Sequence, residues 1–277
     1  MLTAALGLGA SLAWGVSDFV GPLKGRTVGA LRVLLTAQLG GLAAIAIAVA
    51  IRGAGPAGAA AFLAVPAALS GTIGLYAYYR GMAVGAMTIV APVAGVSAAV
   101  PVVVGIATGD RPSLLQGVGI ALALGGVGLA SREHQEGGGR RLAAGAGLAL
   151  FAAVGFGGYF VPMHAAGAAD FWWASFLFRL TATVLIASAV LVRRERVILC
   201  AGDAVVVAAV GVGDTLGNFL YAAASSRGIV SVVSVLASLY PVVTVVLARF
   251  ALGERVDRLQ QLGVASTLAG VVLISSG

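Results

Sequence analysis

The chain has 277 residues, 60% of them hydrophobic and only 10% charged, with a mean hydropathy of +1.05. That composition excludes a water-soluble globular domain and places the chain in a lipid bilayer. The formal charge of +7 does not mark a nucleic-acid surface. Its basic residues stand singly or in short clusters such as Arg193, Arg194 and Arg196 between apolar runs, where they read as loop charges facing headgroups.

Crossing about 30 Å of hydrocarbon takes about 20 helical residues. Cutting only at charges and Gly/Pro clusters predicts helices over 4–23, 29–51, 62–80, 83–107 and 114–131, then 142–163, 170–192, 204–222, 229–251 and 258–276. The first run, Leu2 to Pro22, lacks a basic leading segment and is expected to be a transmembrane helix rather than a cleaved signal. The polar stretch 132–141 is the hydrophilic linker, flexible by composition, between a first unit of 1–131 and a second of 142–277. Phe171, Trp172 and Trp173, opening the seventh helix, read as an interfacial aromatic belt.

The two units are copies. Residues 109–129, GDRPSLLQGVGIALALGGVGL, return 144 positions later as GERVDRLQQLGVASTLAGVVL, with ten of twenty-one positions identical. Gly15 aligns with Gly155, Pro22 with Pro162, Gly74 with Gly217, Tyr78 with Tyr221 and Gly85 with Gly228. Five helices per copy is an odd number, so the second copy enters the membrane from the opposite side. The expected fold is an all-α membrane protein of ten transmembrane helices in two inverted five-helix repeats, an arrangement suited to alternating access around a midplane site. Small residues at helical spacing, such as Gly7, Ser11 and Gly15, Gly81 and Gly85, and Gly213 and Gly217, predict close helix packing.

No zinc-binding spacing, hydrolase elbow or phosphate loop occurs; Cys200 stands alone, and His134 and His164 fall in or beside loops. The chain is therefore read as a non-enzyme needing no metal or cofactor. Ionisable groups inside membrane helices carry the strongest local signal, since each costs about 2.5–3.5 kcal/mol at a helix centre. These are Asp18, Arg32, Arg179 and Asp214; Arg32, one turn into its helix, and Arg249, near a helix end, can snorkel. Asp214, Asn218 and Tyr221 share one polar stripe. Asp214 either pairs structurally with Arg179 or serves in ion coupling, with protons as the coupling ion, or in substrate contact. Asp18 follows Trp14 by one turn, so carboxylate and indole either bind a cationic or amine-bearing substrate or leave Asp18 solvated near Lys24 and Arg26. Tyr76, Tyr78, Tyr79, Tyr159, Phe160, Tyr221 and Tyr240 are belt or cavity residues, Tyr240 being favoured for the cavity by the helix kink expected at Pro241.

Trp14-Gly15-Val16-Ser17-Asp18-Phe19 resembles the WG-x-S-x-F signature of EamA-type transporters of the drug/metabolite transporter superfamily. Leu239-Tyr240-Pro241, Gly253-Glu254-Arg255, Gln260, Gly263 and Gly270 resemble the ending of that family's second repeat. The first repeat departs from the pattern, with Asp110 where the family commonly has Glu and Pro101 out of register with Pro241. The resemblance implies a multi-pass carrier of the cytoplasmic membrane that exports amino acids or other small metabolites. Its cavity is expected to hold Trp14, Asp18, Tyr78, Tyr159, Asp214, Asn218, Tyr221 and Tyr240.

The alternative from another class is a non-transporting scaffold or assembly subunit that packs against partner helices through its glycine-rich faces. Loop charges put both termini outside by the positive-inside rule, whereas the resemblance implies cytoplasmic termini. The copies differ at Trp14 against Val154, Asp18 against Gly158, Gln38 against Arg179 and Gly71 against Asp214, and those positions are expected to choose the cargo.

Overall fold

In the computed structural model, which describes residues 1–84, 90–91, 94–130, 139–252 and 258–276, the regular elements are all helical. Helix α1 (Leu2–Val28) runs beyond the predicted 4–23. Its terminal charges are satisfied in place: Lys24 Nζ lies 2.6 Å from Asp203, and Arg26 Nε and Nη2 both donate to the Met82 carbonyl at 3.1 and 3.0 Å. Gly29, at φ 97°, ends it. Helix α2 (Ala30–Arg52) ends at Gly53 in the left-handed region. A 3₁₀ turn, Ala59–Leu63, leads into α3 (Ala64–Val84).

The fourth predicted helix, 83–107, departs from expectation. Among the described residues it contains a 3₁₀ turn, Val96–Ala98, and the short α4 (Ala99–Ala107), with Pro101 in the first turn, where a missing N–H is tolerated. Helix α5 (Leu114–Ala130) opens with a capping box: the Gln116 N–H donates to Ser113 Oγ at 3.1 Å, and the Ser113 N–H donates to Gln116 Oε1 at 2.9 Å.

Beyond the described part of the linker, one helical run, Gly139–Arg193, replaces the two predicted helices. Asp170, in extended backbone, divides it into α6 (139–169) and α7 (171–193). Residues 164–169, expected to be loop, are helical, as the alanines of His164-Ala-Ala-Gly-Ala-Ala169 favour. The Asp170 carboxylate then caps α7, accepting from the Trp172 and Trp173 N–H groups at 3.1 and 3.3 Å.

Helix α8 spans Ala201–Ser225. The predicted 229–251 helix is two pieces, α9 (Val230–Ala237) and α10 (Tyr240–Leu252). The interruption falls at Ser238–Leu239, just before Pro241, which occupies the first turn of α10 instead of a kink within one helix. Helix α11 is Arg258–Ser276. Gly85, Arg132, His134, Gly253, Glu254 and Arg255, singled out from sequence, lie outside the described residues.

Among the described residues, six stretches are long and apolar enough to cross a membrane, including the broken run Gly147–Arg193. The bundle is a multi-pass membrane protein turned inside out relative to a soluble one. Small residues such as Ala10, Ala64, Ala67, Ala68, Ala182 and Ala222 fill its centre. Large apolar side chains such as Leu39, Ile47, Ile73, Val154, Val184 and Phe250 stand exposed on the outside, where lipid would cover them.

Helix α1 packs on α8, and α3 packs on the run containing α6 and α7, while α5 packs on α11 and α4 on α9. In the α3–α6 contact the backbones touch: a Cβ on Gly155 would lie 2.6 Å from Gly74 Cα. In the α1–α8 contact the Trp14 indole lies flat against Gly217, where a Cβ would meet Nε1 at 2.5 Å. Gly74 and Gly217 are aligned positions of the two copies.

Candidate functional site

The polar groups of the bundle converge because α1, α2, α7 and α8 each turn one charged or amide side chain inward. On α1, Trp14 and Asp18 are one turn apart and buried, with Asp18 only 7% exposed. The solvated position considered for Asp18 is therefore not the one it occupies. Among the described residues its carboxylate has no hydrogen-bond or ion-pair partner, Lys24 being engaged with Asp203.

Arg179, from α7, is 1% exposed. Its Nη1 donates to Gln38 Oε1 at 2.5 Å and its Nη2 to Asp214 Oδ2 at 2.5 Å. The Asn218 amide donates to the Asp214 carbonyl at 2.8 Å, holding the first turn of the polar stripe together. Burial of this set demands pairing, because a guanidinium or carboxylate transferred out of water without a partner costs several kcal/mol. The Asp214–Arg179 ion pair anticipated from sequence is present, with Gln38 as its third member.

Beside the set lies a cavity of about 60 Å³. Its polar lining is Asp18, Gln38, Asp214, Asn218 and Thr72, and its wall is aromatic: Trp14, Phe156, Tyr159, Phe160, Phe178 and Tyr240. The rings brace one another edge to face. Trp14 lies 5.9 Å from Tyr159 and 6.5 Å from Tyr240, and Tyr159 lies 5.2 Å from Phe178, each pair at a steep interplanar angle.

The structure thus brings Trp14, Asp18, Tyr159, Asp214, Asn218 and Tyr240 to one cavity, with Arg179 behind its wall. Tyr78 and Tyr221 are buried behind its lining rings. Tyr221 lies two turns along α8 from Asp214, and its hydroxyl donates to the Phe160 carbonyl at 2.8 Å and meets Ser234 Oγ at 2.9 Å, so it ties α8 to α6 and α9. Tyr78 lies two turns along α3 from Gly71, stacked among Tyr79 and Phe156. The lining residues Thr72, Leu75, Phe156 and Phe178 were not singled out from sequence. Phe156 was recognisable in principle, since Phe156, Tyr159 and Phe160 stand at i, i+3 and i+4 on one face.

Two further carboxylates organise the ends of the bundle. Asp170 also accepts from Arg52 Nη1 at 2.6 Å and the Ala57 N–H at 3.1 Å, while Trp173 Nε1 donates to the Ala54 carbonyl at 2.8 Å. Asp110 Oδ2 accepts from the Ser231 N–H at 3.0 Å and from its hydroxyl at 2.9 Å, capping α9 from the far side of the chain. The departure from Glu at this position in the first repeat therefore sits at a helix cap and away from the cavity.

No curated protein matches the sequence significantly. A solved crystal structure superposes with a TM-score of 0.75 at 20% sequence identity, covering 98% of this chain and 94% of the other, a likeness of fold alone. The model of the EamA-like transporter family matches residues 143–276, which begin in α6 and run to the last residue of α11. By that match the second half of the chain, from the start of α6 to the end of α11, belongs to the EamA-like transporter family, and the full-length structural likeness shows the fold.

Proposed function

We propose that the protein is a secondary transporter that exports small, partly polar metabolites or amphipathic drugs by alternating access, with the two halves as inverted repeats. The observation that carries this reading is the central cavity, which combines an aromatic wall with a buried carboxylate, Asp18, that has no partner among the described residues. A group of that kind is costly to retain in a static protein and useful in one that admits a polar ligand. The exchange of helix partners between copies, α1 with α8 and α3 with α6, supports two similar packings of one body.

The scaffold alternative needs glycine faces free for outside helices. Gly74, Gly155, Gly167 and Gly211 instead meet helices of the same chain, the last three by backbone contact with Gly74, Ala222 and Ala37.

The test is flux. Purified protein in liposomes is offered a broad panel of metabolites, amino acids and amines with and without a pH gradient, in vesicles of known sidedness. Movement of at least one compound, lost in the Asp18→Asn variant, supports the reading, and the pH arm decides proton coupling. Protein that moves nothing under any condition ends it.

A further inference from the structure

The charges around the cavity do not balance, and the imbalance has a chemical meaning. Asp18 and Asp214 line the wall, and Arg179 stands behind it. Both terminal nitrogens of Arg179 are engaged, one on Gln38 and the other on Asp214, and its unpartnered Nε lies against Gly41. Arg179 therefore neutralises Asp214, and the Asp18 carboxyl group is left without a counter-ion among the described residues. Other cations near that end are engaged as well: Lys24 with Asp203 and Arg26 with the Met82 carbonyl.

We propose that this cavity selects a monocationic amine with an apolar body about the size of an aromatic ring, and rejects the corresponding amino acid. The inference rests on the transporter reading and narrows its substrate class. An ammonium group supplies the partner that Asp18 lacks, and the flanking rings of Trp14, Tyr159 and Tyr240 receive its hydrocarbon body and attract its charge through their faces. Among the described residues, a carboxylate on the same ligand meets no free cation in the wall, only neutral donors such as the unpartnered hydroxyls of Thr72, Tyr159 and Tyr240. The buried cation is already committed, so the ligand's anion would face Asp214 in a site without a free donor of positive charge. Discrimination thus comes from an unpaired charge in the wrong ligand as much as from a contact with the right one.

The experiment uses the purified full chain in detergent and compares binding of 2-phenylethylamine, benzyltrimethylammonium, 2-phenylethanol, L-phenylalanine and 3-phenylpropionate by calorimetry and thermal stabilisation. These ligands share a benzene ring and differ in charge. The expected result is that both cations bind roughly tenfold or more tightly than the neutral, zwitterionic and anionic ligands. In Asp18→Asn the advantage of the cations over 2-phenylethanol disappears while binding of 2-phenylethanol persists. L-phenylalanine binding as tightly as 2-phenylethylamine overturns the inference, as does failure of every ligand to bind the wild type. Because the wild-type series carries the main comparison, a misfolded variant does not shield the proposal. Selective amine binding without flux in liposomes leaves the inference standing and removes the transport reading. Flux of L-phenylalanine and 2-phenylethanol equal to that of the amine does the reverse.

Discussion

Arg179 donates to Gln38 across the centre of the bundle at 2.5 Å, and the two residues occupy aligned positions of the two copies. A duplication that began with identical side chains at this point would have faced two like groups across the bundle. Divergence into a guanidinium and an amide gave one donor and one acceptor, and the second guanidinium nitrogen then fixed Asp214. One of the positions at which the copies differ in charge is thus where they bond to each other.

The buried pair gives the first prediction. Arg179→Met leaves Asp214 without its cation, and Asp214→Asn leaves Arg179 charged and nearly sealed from solvent; each should cost about 3–5 kcal/mol. The double variant Arg179→Met with Asp214→Leu should be less destabilised than either single one, because no charge is left unpaired. Thermal unfolding in detergent measures all three, and additive losses in the double variant would contradict this account of the pair.

Helix contact gives the second. Gly155→Ala places a Cβ against the Gly74 backbone and the Ser70 carbonyl, and should destabilise by about 1–3 kcal/mol through overpacking. Gly117→Ala, in α5, meets nothing within 4 Å and should be neutral or gain roughly 0.5–1 kcal/mol of helix propensity. The difference in melting temperature between the two variants is the readout.

Capping gives the third. Asp110→Ala removes the acceptor for the Ser231 N–H and hydroxyl, and should cost about 1 kcal/mol. Asp170→Ala should cost more, about 2–3 kcal/mol, because a carboxylate with four donors is removed from a residue 5% exposed. Asp203→Ala, whose partner Lys24 is partly exposed, should cost least. Hydrogen exchange at the starts of α9 and α7 should rise in the first two variants respectively.

Function gives the fourth. Asp18→Asn preserves shape and makes no new demand on a neighbour, so its melting temperature should stay close to wild type while flux of any transported compound falls roughly tenfold or more. Tyr221→Phe should behave oppositely, with a lower melting temperature from the lost hydrogen bonds to the Phe160 carbonyl and Ser234 and little change in ligand affinity, since Tyr221 lies outside the cavity wall.

The repeat and the sparse membrane charges made much of the centre legible in the sequence. Asp214, Arg179 and Asn218 were readable because a charge among apolar residues has few places to go, and Gln38 because it aligns with Arg179. Tyr78 and Tyr221 pack directly behind lining rings, Tyr221 on Trp14, Tyr159 and Phe160 at 6.0, 5.6 and 5.3 Å and Tyr78 on Phe156 at 5.7 Å, because the helical period assigns a face but not a depth. Phe178 and Thr72 carry no signal among so many apolar and small neighbours. The division of the predicted 229–251 helix was half legible, since Pro241 announces a disturbance but leaves open whether the helix bends or stops.

That stop governs how Tyr240 is held. Helix α9 is buried along its whole length and anchored through Ser231 to Asp110 and through Ser234 to Tyr221, whereas α10 leans on α1. With the helix parted at Ser238–Leu239, α10 takes its seat from α1 instead of α9: the Thr244 hydroxyl donates to the Gly15 carbonyl at 3.2 Å, and a Cβ on Gly15 would meet the Tyr240 carbonyl at 2.9 Å. Tyr240 is thereby tied to the helix that carries Trp14 and Asp18, so three lining residues share one support.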